Sequence, residues 1–342
     1  MEISEEPNFY LYNKLGAYET DLAILQEFFP DGDTFRDPLA SSPDYMSWIL
    51  SETGYCFICL GLLEMAEQFL ERANFILLNI TMDWHNASRS YQNLSDLYAS
   101  QGDLDQSTEA ARNALNLSIH AEDKTYECYS NAHLAFAEHL RGNLVAASED
   151  FKKAEILEQE INHTIYLLSF RGIQHADHLI RIGNPVYARE VTKVNLAISE
   201  VDQWLNIISR CHRVLGDLDV NDGDHNNARK HYYEALKIAR QIAYRQVLIE
   251  ALLARGKWAA KHLKIAREAF TDLEEALNYA TSSGFRIIEA DIRVALAWAH
   301  ITAGNKEKAK AEAIYAKQMS KEMGYYWGNI DADEVLAEIE KA

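Results

Sequence analysis

Small and apolar residues recur along most of the chain at helical spacing, and the same pattern returns every 40 to 41 residues. They stand 5, 9 and 12 positions after a recurring Gly-Asp or Gly-Asn pair, as Ala147, Phe151 and Ala154 do after Gly142. These offsets place the three side chains on one face of a helix. A regular period of this length indicates a solenoid of repeated units. The turn positions that define it, with Lys264 as the one substitution, are Gly61, Gly102, Gly142, Gly183, Gly223, Lys264 and Gly304.

Each unit is predicted to be a hairpin of two helices. The glycine can end the first helix in the left-handed conformation, and the Asp or Asn after it can accept hydrogen bonds from the free N–H groups of the second. Pro185, directly after Asn184, suits the first position of a helix. A second periodic segment, such as SNAHLAFAEHLRG, precedes each turn and predicts the first helix. The fold class is therefore all-α, with about seven hairpins over residues 45–317.

The two ends of the chain differ from the repeats. Residues 1–30 are predicted to form a partial opening hairpin, and residues 31–44, which contain prolines, connect it to the first full unit. Residues 318–342 are predicted to form a polar capping helix. The whole chain, 1–342, is thus expected to be one superhelical domain, and its opening inside a repeat suggests a piece of a longer protein.

The segments around the turns resemble tetratricopeptide repeats, which implies an α-solenoid with a right-handed superhelical twist. Tyr91, Leu94 and Tyr98 before one turn, and Ala111 and Ala114 after it, match the pattern of that family. The period exceeds the family's usual 34 residues, so the HEAT and armadillo repeats, with periods of about 40 to 47 residues, remain an alternative. The Gly-Asp or Gly-Asn turn with flanking alanines favours the tetratricopeptide interpretation. Glycines that allow close helix packing before a turn are Gly54 and Gly216.

Two stretches resemble a particular group of repeat proteins. Leu-Gly-Ala-Tyr-Glu followed by Phe-Phe-Pro-Asp-Gly, and the segment over 283–309, are similar to the C-terminal repeat sensor of bacterial STAND ATPases, with a superhelix like that of the maltose-regulon activator. The resemblance implies a sensor that binds an inducer, a protein or a small molecule, and relieves the inhibition of an attached ATPase and effector. The chain has no G-x-x-x-x-G-K-[ST], so it is not expected to hydrolyse nucleotide itself.

Charge and composition exclude some partners. The chain has 33 Lys and Arg against 52 Asp and Glu, a net charge of −19, which argues against nucleic acid or an anionic membrane surface. No apolar run reaches the length of about 18 residues that a membrane span needs. The first residues, MEISEEPNFY, lack the basic and then apolar pattern of a signal peptide, which predicts a cytoplasmic protein.

No motif indicates catalysis, a metal or a cofactor. Cys56 and Cys59 form a C-x-x-C inside a predicted helix, without the second pair that a zinc site would require. His175 and His178 share a helix face but have no convincing third ligand, so packing is the better interpretation. We therefore expect a protein that is not an enzyme and that carries no cofactor.

The concave surface of the superhelix is the candidate binding site. In tetratricopeptide repeats it is lined by residues 13, 10, 6 and 3 positions before each turn. Aromatic residues there would offer stacking surface, and Arg89, Arg210 and Arg213 would read negative groups, since Trp, Tyr and Arg are enriched at binding hot spots. In the competing interpretation the aromatics fill the inside of the curve and Arg and Asp residues four apart pair along the helix. The candidate residues are Trp48, Tyr55, Arg89, Gln92, Asp96, Tyr129, Phe136, His139, Asp177, Arg181, Arg210, Arg213, Asp217, Trp258 and Trp298.

The sequence thus predicts a recognition module that binds a protein, peptide or small-molecule ligand in its concave groove. Its expected partner besides the ligand is an attached or separate ATPase or effector domain, and neither nucleic acid nor membrane is expected. Two alternatives remain open: a constitutive scaffold that assembles proteins, and a peptide-pheromone receptor. The Lys and Asn clamp with which chaperone-binding repeats hold C-terminal carboxylates is not recognisable at the inner positions.

Overall fold

The computed structural model describes residues 16–341, and over that range it consists of α-helices joined by short turns and one longer connection. No strand occurs among these residues. The expected all-α solenoid is confirmed. The helices are α1 Tyr18–Gln26, α2 Pro43–Leu60, α3 Leu63–Ile76, α4 Trp84–Gln101, α5 Leu104–His120, α6 Lys124–Leu140, α7 Leu144–Asn162, α8 Ser169–Arg181, α9 Pro185–Asp202, α10 Leu205–Asn221, α11 His225–Ala239, α12 Arg245–Trp258, α13 Ala266–Ser283, α14 Arg286–Thr302, α15 Lys306–Met323 and α16 Tyr326–Lys341.

Consecutive helices pack as antiparallel hairpins, from α2 with α3 to α14 with α15. Helix α1 packs on α2 and is joined to it through a 3-10 turn at Pro30–Gly32 and an irregular segment. Two π-helical turns, Leu77–Thr81 and Ala259–Leu263, extend α3 and α12. None of the described helices is long and apolar enough to cross a membrane.

The turn at each repeat has the left-handed backbone conformation that the sequence predicts. Gly102 and Gly142 both have φ of 82°, and the other turn glycines lie between 75° and 84°. Lys264, which replaces glycine, has φ of 59° and ends the π-helical turn before it. The repeat period is therefore maintained where glycine is absent.

The predicted helix caps form at most of the turns. The carboxylates of Asp103 and Asp224 accept the backbone N–H three residues on, at 3.0 and 3.1 Å. Asn184 and Asn305 do the same. Asn143 does not cap α7, and its amide nitrogen donates to Glu138 at 2.6 Å.

The small residues after each turn form the seam between the two helices of a hairpin. All side chains at offsets 5, 9 and 12 are buried. Where the ninth position is Leu70, Tyr232 or Leu273, its partner on the first helix is glycine. A Cβ atom added to Gly54 would lie 2.9 Å from Leu70 Cγ, and one added to Gly216 would lie 2.6 Å from Tyr232 Cε1. These glycines therefore provide the close packing predicted for them.

The superhelix winds tightly enough for successive turns to touch. The turn at Gly61 packs against Arg245, the turn at Gly102 against Arg286, and the turn at Gly142 against Tyr326. Each pair is 184 residues apart in the sequence, a distance between four and five hairpins. The inner surface therefore forms a channel along the inside of the superhelix.

The C-terminal helix differs from the expected polar cap over 318–342. Residues up to Met323 belong to α15, which ends at Gly324 with φ of 68°, and the last helix begins only at Tyr326. Helix α16 buries Trp327, Asp331 and three small or apolar residues. It is therefore an integral part of the core packing and not only a polar cap. Residues 1–15, half of the predicted partial hairpin over 1–30, lie outside the described residues.

Candidate functional site

The first helices of the hairpins enclose a channel of about 1540 Å³ along the inside of the superhelix. Its wall comes from one face each of α2, α4, α6, α8, α10, α12 and α14, together with the ends of α7 and α9 and the start of α16. Small-molecule pockets usually measure about 300 to 1,000 Å³. The channel is larger than that range and has room for a peptide segment.

The structure brings most of the predicted residues together in this wall. Each hairpin contributes residues from its first helix, as the inner-position rule predicts. The candidates that line the channel are Tyr55, Arg89, Gln92, Asp96, Tyr129, Phe136, His139, Asp177, Arg181, Arg210, Arg213, Asp217 and Trp258.

Two predicted residues do not line the channel. Trp48 faces a separate shallow pocket of about 60 Å³ between α2 and α4, and 36% of its surface is exposed. Trp298 is only 6% exposed, because Lys261 within the π-helical turn and Lys264 directly after it cover its ring at 4.9 and 5.8 Å. Trp48 lies near the start of α2, whose later residues Tyr55 and Ile58 line the channel, and Trp298 is covered by the neighbouring unit.

The wall contains as many basic as acidic side chains, in contrast to the strong negative charge of the whole chain. Arg210 is almost fully buried, with 2% of its side chain exposed, and its Nε donates to Glu250 at 2.8 Å. Its guanidinium lies between the rings of Phe170 and Tyr244, at 4.5 and 5.0 Å. Burial alone would lower the pKa of Arg210, but the Glu250 carboxylate holds that pKa above its usual value.

The other predicted arginines are paired in the same way. Arg213 binds Asp177 of the preceding hairpin and contacts Asp217 four residues on at 3.4 Å. Arg89 donates to Glu52 at 2.6 Å. The pairing interpretation therefore holds for Arg213 along its helix, and it extends between neighbouring hairpins for all three arginines. To bind a negative group of a ligand, as the sequence predicts, Arg89, Arg210 and Arg213 would each have to break an ion pair with a carboxylate of the chain.

The last helix closes one side of the channel through the same kind of contact. Arg181 donates two hydrogen bonds to Asp331 of α16, at 2.8 and 2.7 Å, and stacks on Trp327 at 4.9 Å. The Trp327 indole donates to His139 Nδ1 at 3.3 Å. Burial lowers the pKa of His139 well below its usual range, so this imidazole is neutral.

Aromatic rings cover much of the wall between these ion pairs. Tyr126 and Tyr129 of α6 meet edge to face at 5.8 Å, and both are half-buried. Phe170 and Trp204 are also partly exposed to the channel. Trp258 is only 3% exposed and donates its indole N–H to His225, so it offers little surface.

The sequence prediction missed part of the channel wall, including two residues next to its aromatic rings. Arg171 and Gln174 of α8 line the channel next to Tyr129 and Phe170. Arg171 stands one position after Phe170, which occupies the first inner position of its hairpin. The inner-position rule selects one row of residues per helix, and the neighbouring row faces the channel as well.

The cysteine and histidine pairs lie in packed surroundings. Cys56 and Cys59 are buried, and burial raises the pKa of Cys59 to about 12. Burial lowers the pKa of His175 to about 3 and that of His178 to about 4, and His178 contacts His139. Within residues 16–341, no group of three or more His, Cys, Asp or Glu side chains is placed to hold a metal ion. Both pairs occupy packing positions.

Comparison with known proteins identifies the repeat and the fold. The tetratricopeptide repeat family model matches residues 88–118, which cover most of α4 and α5. No match is found among curated protein sequences.

Three solved structures illustrate the similarity. A chain of the APC/C hetero-tetramer Cut9–Hcn1 shows 13% identity and a TM-score of 0.60 over 97% of this chain and 54% of its own. A Rap protein complexed with Competence and Sporulation Factor shows 12% identity and a TM-score of 0.59, over 97% of this chain and 95% of its own. The STAND protein with a tetratricopeptide repeat sensor from Pyrococcus horikoshii shows 14% identity and a TM-score of 0.53, over 96% of this chain and 53% of its own. At these identities the likeness concerns the fold, and this chain spans about half the length of the first and third.

Proposed function

The chain is a tetratricopeptide-repeat superhelix with an inner channel, and from this premise we propose that it is a non-catalytic recognition module. Its ligand is a protein or peptide segment that lies in the channel. The observation that carries the proposal is the channel itself, whose volume of about 1540 Å³ exceeds that of ordinary small-molecule pockets. Its wall presents partly exposed aromatic rings, which provide large contact areas at low entropic cost.

The ion pairs of the wall have a positioning role in this proposal. Arg210 with Glu250 and Arg213 with Asp177 join neighbouring hairpins and fix the inner surface. A rigid, preformed surface binds better than one that must be ordered on binding. The ligand then contacts mainly the aromatic rings and those polar groups that the chain leaves without partners.

Within this proposal the chain is the sensor part of a larger STAND-type signalling ATPase in the cytoplasm. The support is the likeness to the STAND protein of Pyrococcus horikoshii, together with the stretches that resemble STAND sensors. The coding sequence upstream of Met1 tests this assignment. An in-frame G-x-x-x-x-G-K-[ST] is expected there, and an upstream sequence without it would favour a constitutive scaffold.

A peptide receptor is the second candidate. The structure of a Rap protein complexed with Competence and Sporulation Factor matches over 95% of its length, whereas the STAND protein matches over about half. Both candidates place the ligand in the channel, and they differ in whether its binding controls an ATPase.

The test of the shared claim is binding of short random peptides, labelled with a fluorophore, to the purified chain. We expect the wild-type chain to retain a subset of them. Phe170→Ala, which removes a ring from the channel wall, is expected to weaken binding of that subset about tenfold or more. Phe75→Ala is the matched control, since Phe75 is 62% exposed and lies outside the channel. Absence of retained peptides, or equal effects of the two variants, would contradict the proposal.

A further inference from the structure

The basic side chains of the channel wall are almost all neutralised by the chain itself. Besides the arginines already described, Lys261 contacts Glu334 at 2.7 Å and Lys257 contacts Asp331 at 3.8 Å. Arg171 is the exception. Within residues 16–341 it has no carboxylate within 4 Å, and its buried Nε has no hydrogen-bond acceptor. One guanidinium in the wall therefore lacks the partner that its equivalents have.

The neighbouring ring fixes the direction of that guanidinium. Arg171 lies over the face of Tyr129, with 3.4 Å between its guanidinium carbon and the ring centroid. This stacking satisfies the face of the planar group but leaves its N–H edges without acceptors. Both side chains are half-buried and line the channel, so an anion can reach the edge without displacing a packed residue.

Gln174 lies one helical turn further along the same face of α8 and is 1% exposed. Its amide Nε2 donates to Asp96 at 3.4 Å, and Asp96 also contacts His133 at 3.1 Å. Because an ionised carboxylate accepts but does not donate, the amide nitrogen of Gln174 is the atom that contacts Asp96. Asp96 is therefore engaged by Gln174 and His133 and forms no ion pair with Arg171.

Glu158, an acidic residue of the channel wall at the end of α7, has other partners. Glu158 accepts from the Cys128 thiol at 3.3 Å and from the Asn162 amide at 2.8 Å. It is 1% exposed and makes no ion pair with Arg171. An incoming carboxylate at Arg171 therefore does not have to displace it.

We propose that Arg171, held against the ring of Tyr129, forms a subsite for a carboxylate of a peptide ligand. The guanidinium edge of Arg171 donates two hydrogen bonds to the carboxylate. Paired donors and a planar anion match in geometry, and such charge-assisted bonds are the strong ones. The subsite rests on the proposed peptide-binding function and adds to it the class of ligand: a peptide with an acidic side chain or a free C-terminus.

The experiment compares two arms of the fluorescent peptide library, one with free C-terminal carboxylates and one with C-terminal amides. Each arm contains matched peptides with Glu or with Gln at every position. The wild-type chain is expected to retain peptides that carry a carboxylate at least about tenfold better than their neutral counterparts. If the chain prefers free-acid peptides to their amides, whether they contain Glu or Gln, the bound carboxylate is the C-terminus. If it prefers Glu peptides to their Gln counterparts in both arms, the bound carboxylate is a side chain.

Arg171→Gln is expected to keep peptide binding but to lose that preference, and Arg171→Lys to keep only part of it because it lacks the two-donor edge. Arg267→Gln is the matched control, since Arg267 is exposed and lies outside the channel. Peptide binding without a carboxylate preference, or with one that survives Arg171→Gln, overturns the subsite while the proposed function stands. If the wild-type chain retains no peptide in either arm, the proposed function fails and the subsite fails with it.

Discussion

Arg210 holds a permanent charge almost fully out of water, and Glu250 is its partner in the wall. Glu250→Ala would leave that charge buried without compensation. We expect the variant to lose about 3–5 kcal/mol of the free energy of unfolding, measured by urea denaturation. Glu160→Ala is the control, because the ion pair of Glu160 with Lys124 lies on the surface. We expect no measurable change in its free energy of unfolding. Similar losses in the two variants would show that Arg210 does not depend on its partner.

Asp291 gives the channel wall a pH dependence. Burial raises the pKa of Asp291 to about 6, and the Asp331 carboxylate adds to the shift. Arg181, Lys257 and the hydroxyl of Tyr325 oppose it. Between about pH 4 and 6 the folded chain holds a proton that the unfolded chain has released, so this group's contribution to stability falls as the pH rises through that window.

Asp291→Asn removes the titration and keeps an acceptor for the Tyr325 hydroxyl. We expect the variant to gain stability over the wild type as the pH rises from about 4 to 6, with a gain of about 1–3 kcal/mol at pH 7. Urea denaturation of both chains across this range measures the difference, and other titrating groups largely cancel because both chains share them. A difference that does not change with pH would contradict the shift.

In three hairpins the two helices meet where a glycine faces a large side chain, as Gly54 faces Leu70. Alanine is the better helix former by about 1 kcal/mol, yet Gly54→Ala is expected to destabilise the chain by about 1–3 kcal/mol because its Cβ would overlap Leu70. The double variant with Leu70→Ala should lose less than the sum of the single losses. Thermal unfolding measures all three, and additive losses would argue against the contact.

Helices and turns were predictable from the sequence because their causes are local. A left-handed turn with an Asp or Asn cap, followed by small residues at fixed offsets, contains the information for one hairpin. Even Lys264 adopts the turn conformation in the place of glycine. Asn143 is the exception among the Asp and Asn caps: its amide nitrogen binds Glu138, five residues earlier, and a side-chain contact of that kind does not show in the repeat pattern.

The winding of the whole superhelix was not predictable, and the differences at the candidate site follow from it. Small rotations between hairpins add up, and they bring Gly142 against Tyr326 across 184 residues of sequence. They also place Arg213 beside Asp177 of the preceding hairpin and cover Trp298 with Lys261. The rule of inner positions finds the lining of the channel, but it does not show which side chains pair with each other.

The closure of the superhelix by α16 is a property of the molecule as a whole. Its Asp331 and Trp327 contact residues of α6 and α8 that lie at least 150 positions earlier. A chain that ends after Tyr325 is expected to show faster amide hydrogen exchange in α6 and α8, as well as in the adjacent α14 and α15. Exchange that changes only in α14 and α15 would contradict this role of the last helix.

The central claim, that the ligand lies in the channel, is tested most directly by blocking it. All four native cysteines, Cys56, Cys59, Cys128 and Cys211, are buried, so a cysteine introduced at the half-buried wall residue Gln246 can be labelled selectively with a bulky maleimide. We predict that Gln246→Cys retains the selected peptides before labelling and loses them afterwards, whereas labelled Phe75→Cys retains them. Undiminished peptide binding by the labelled Gln246→Cys chain would contradict the account.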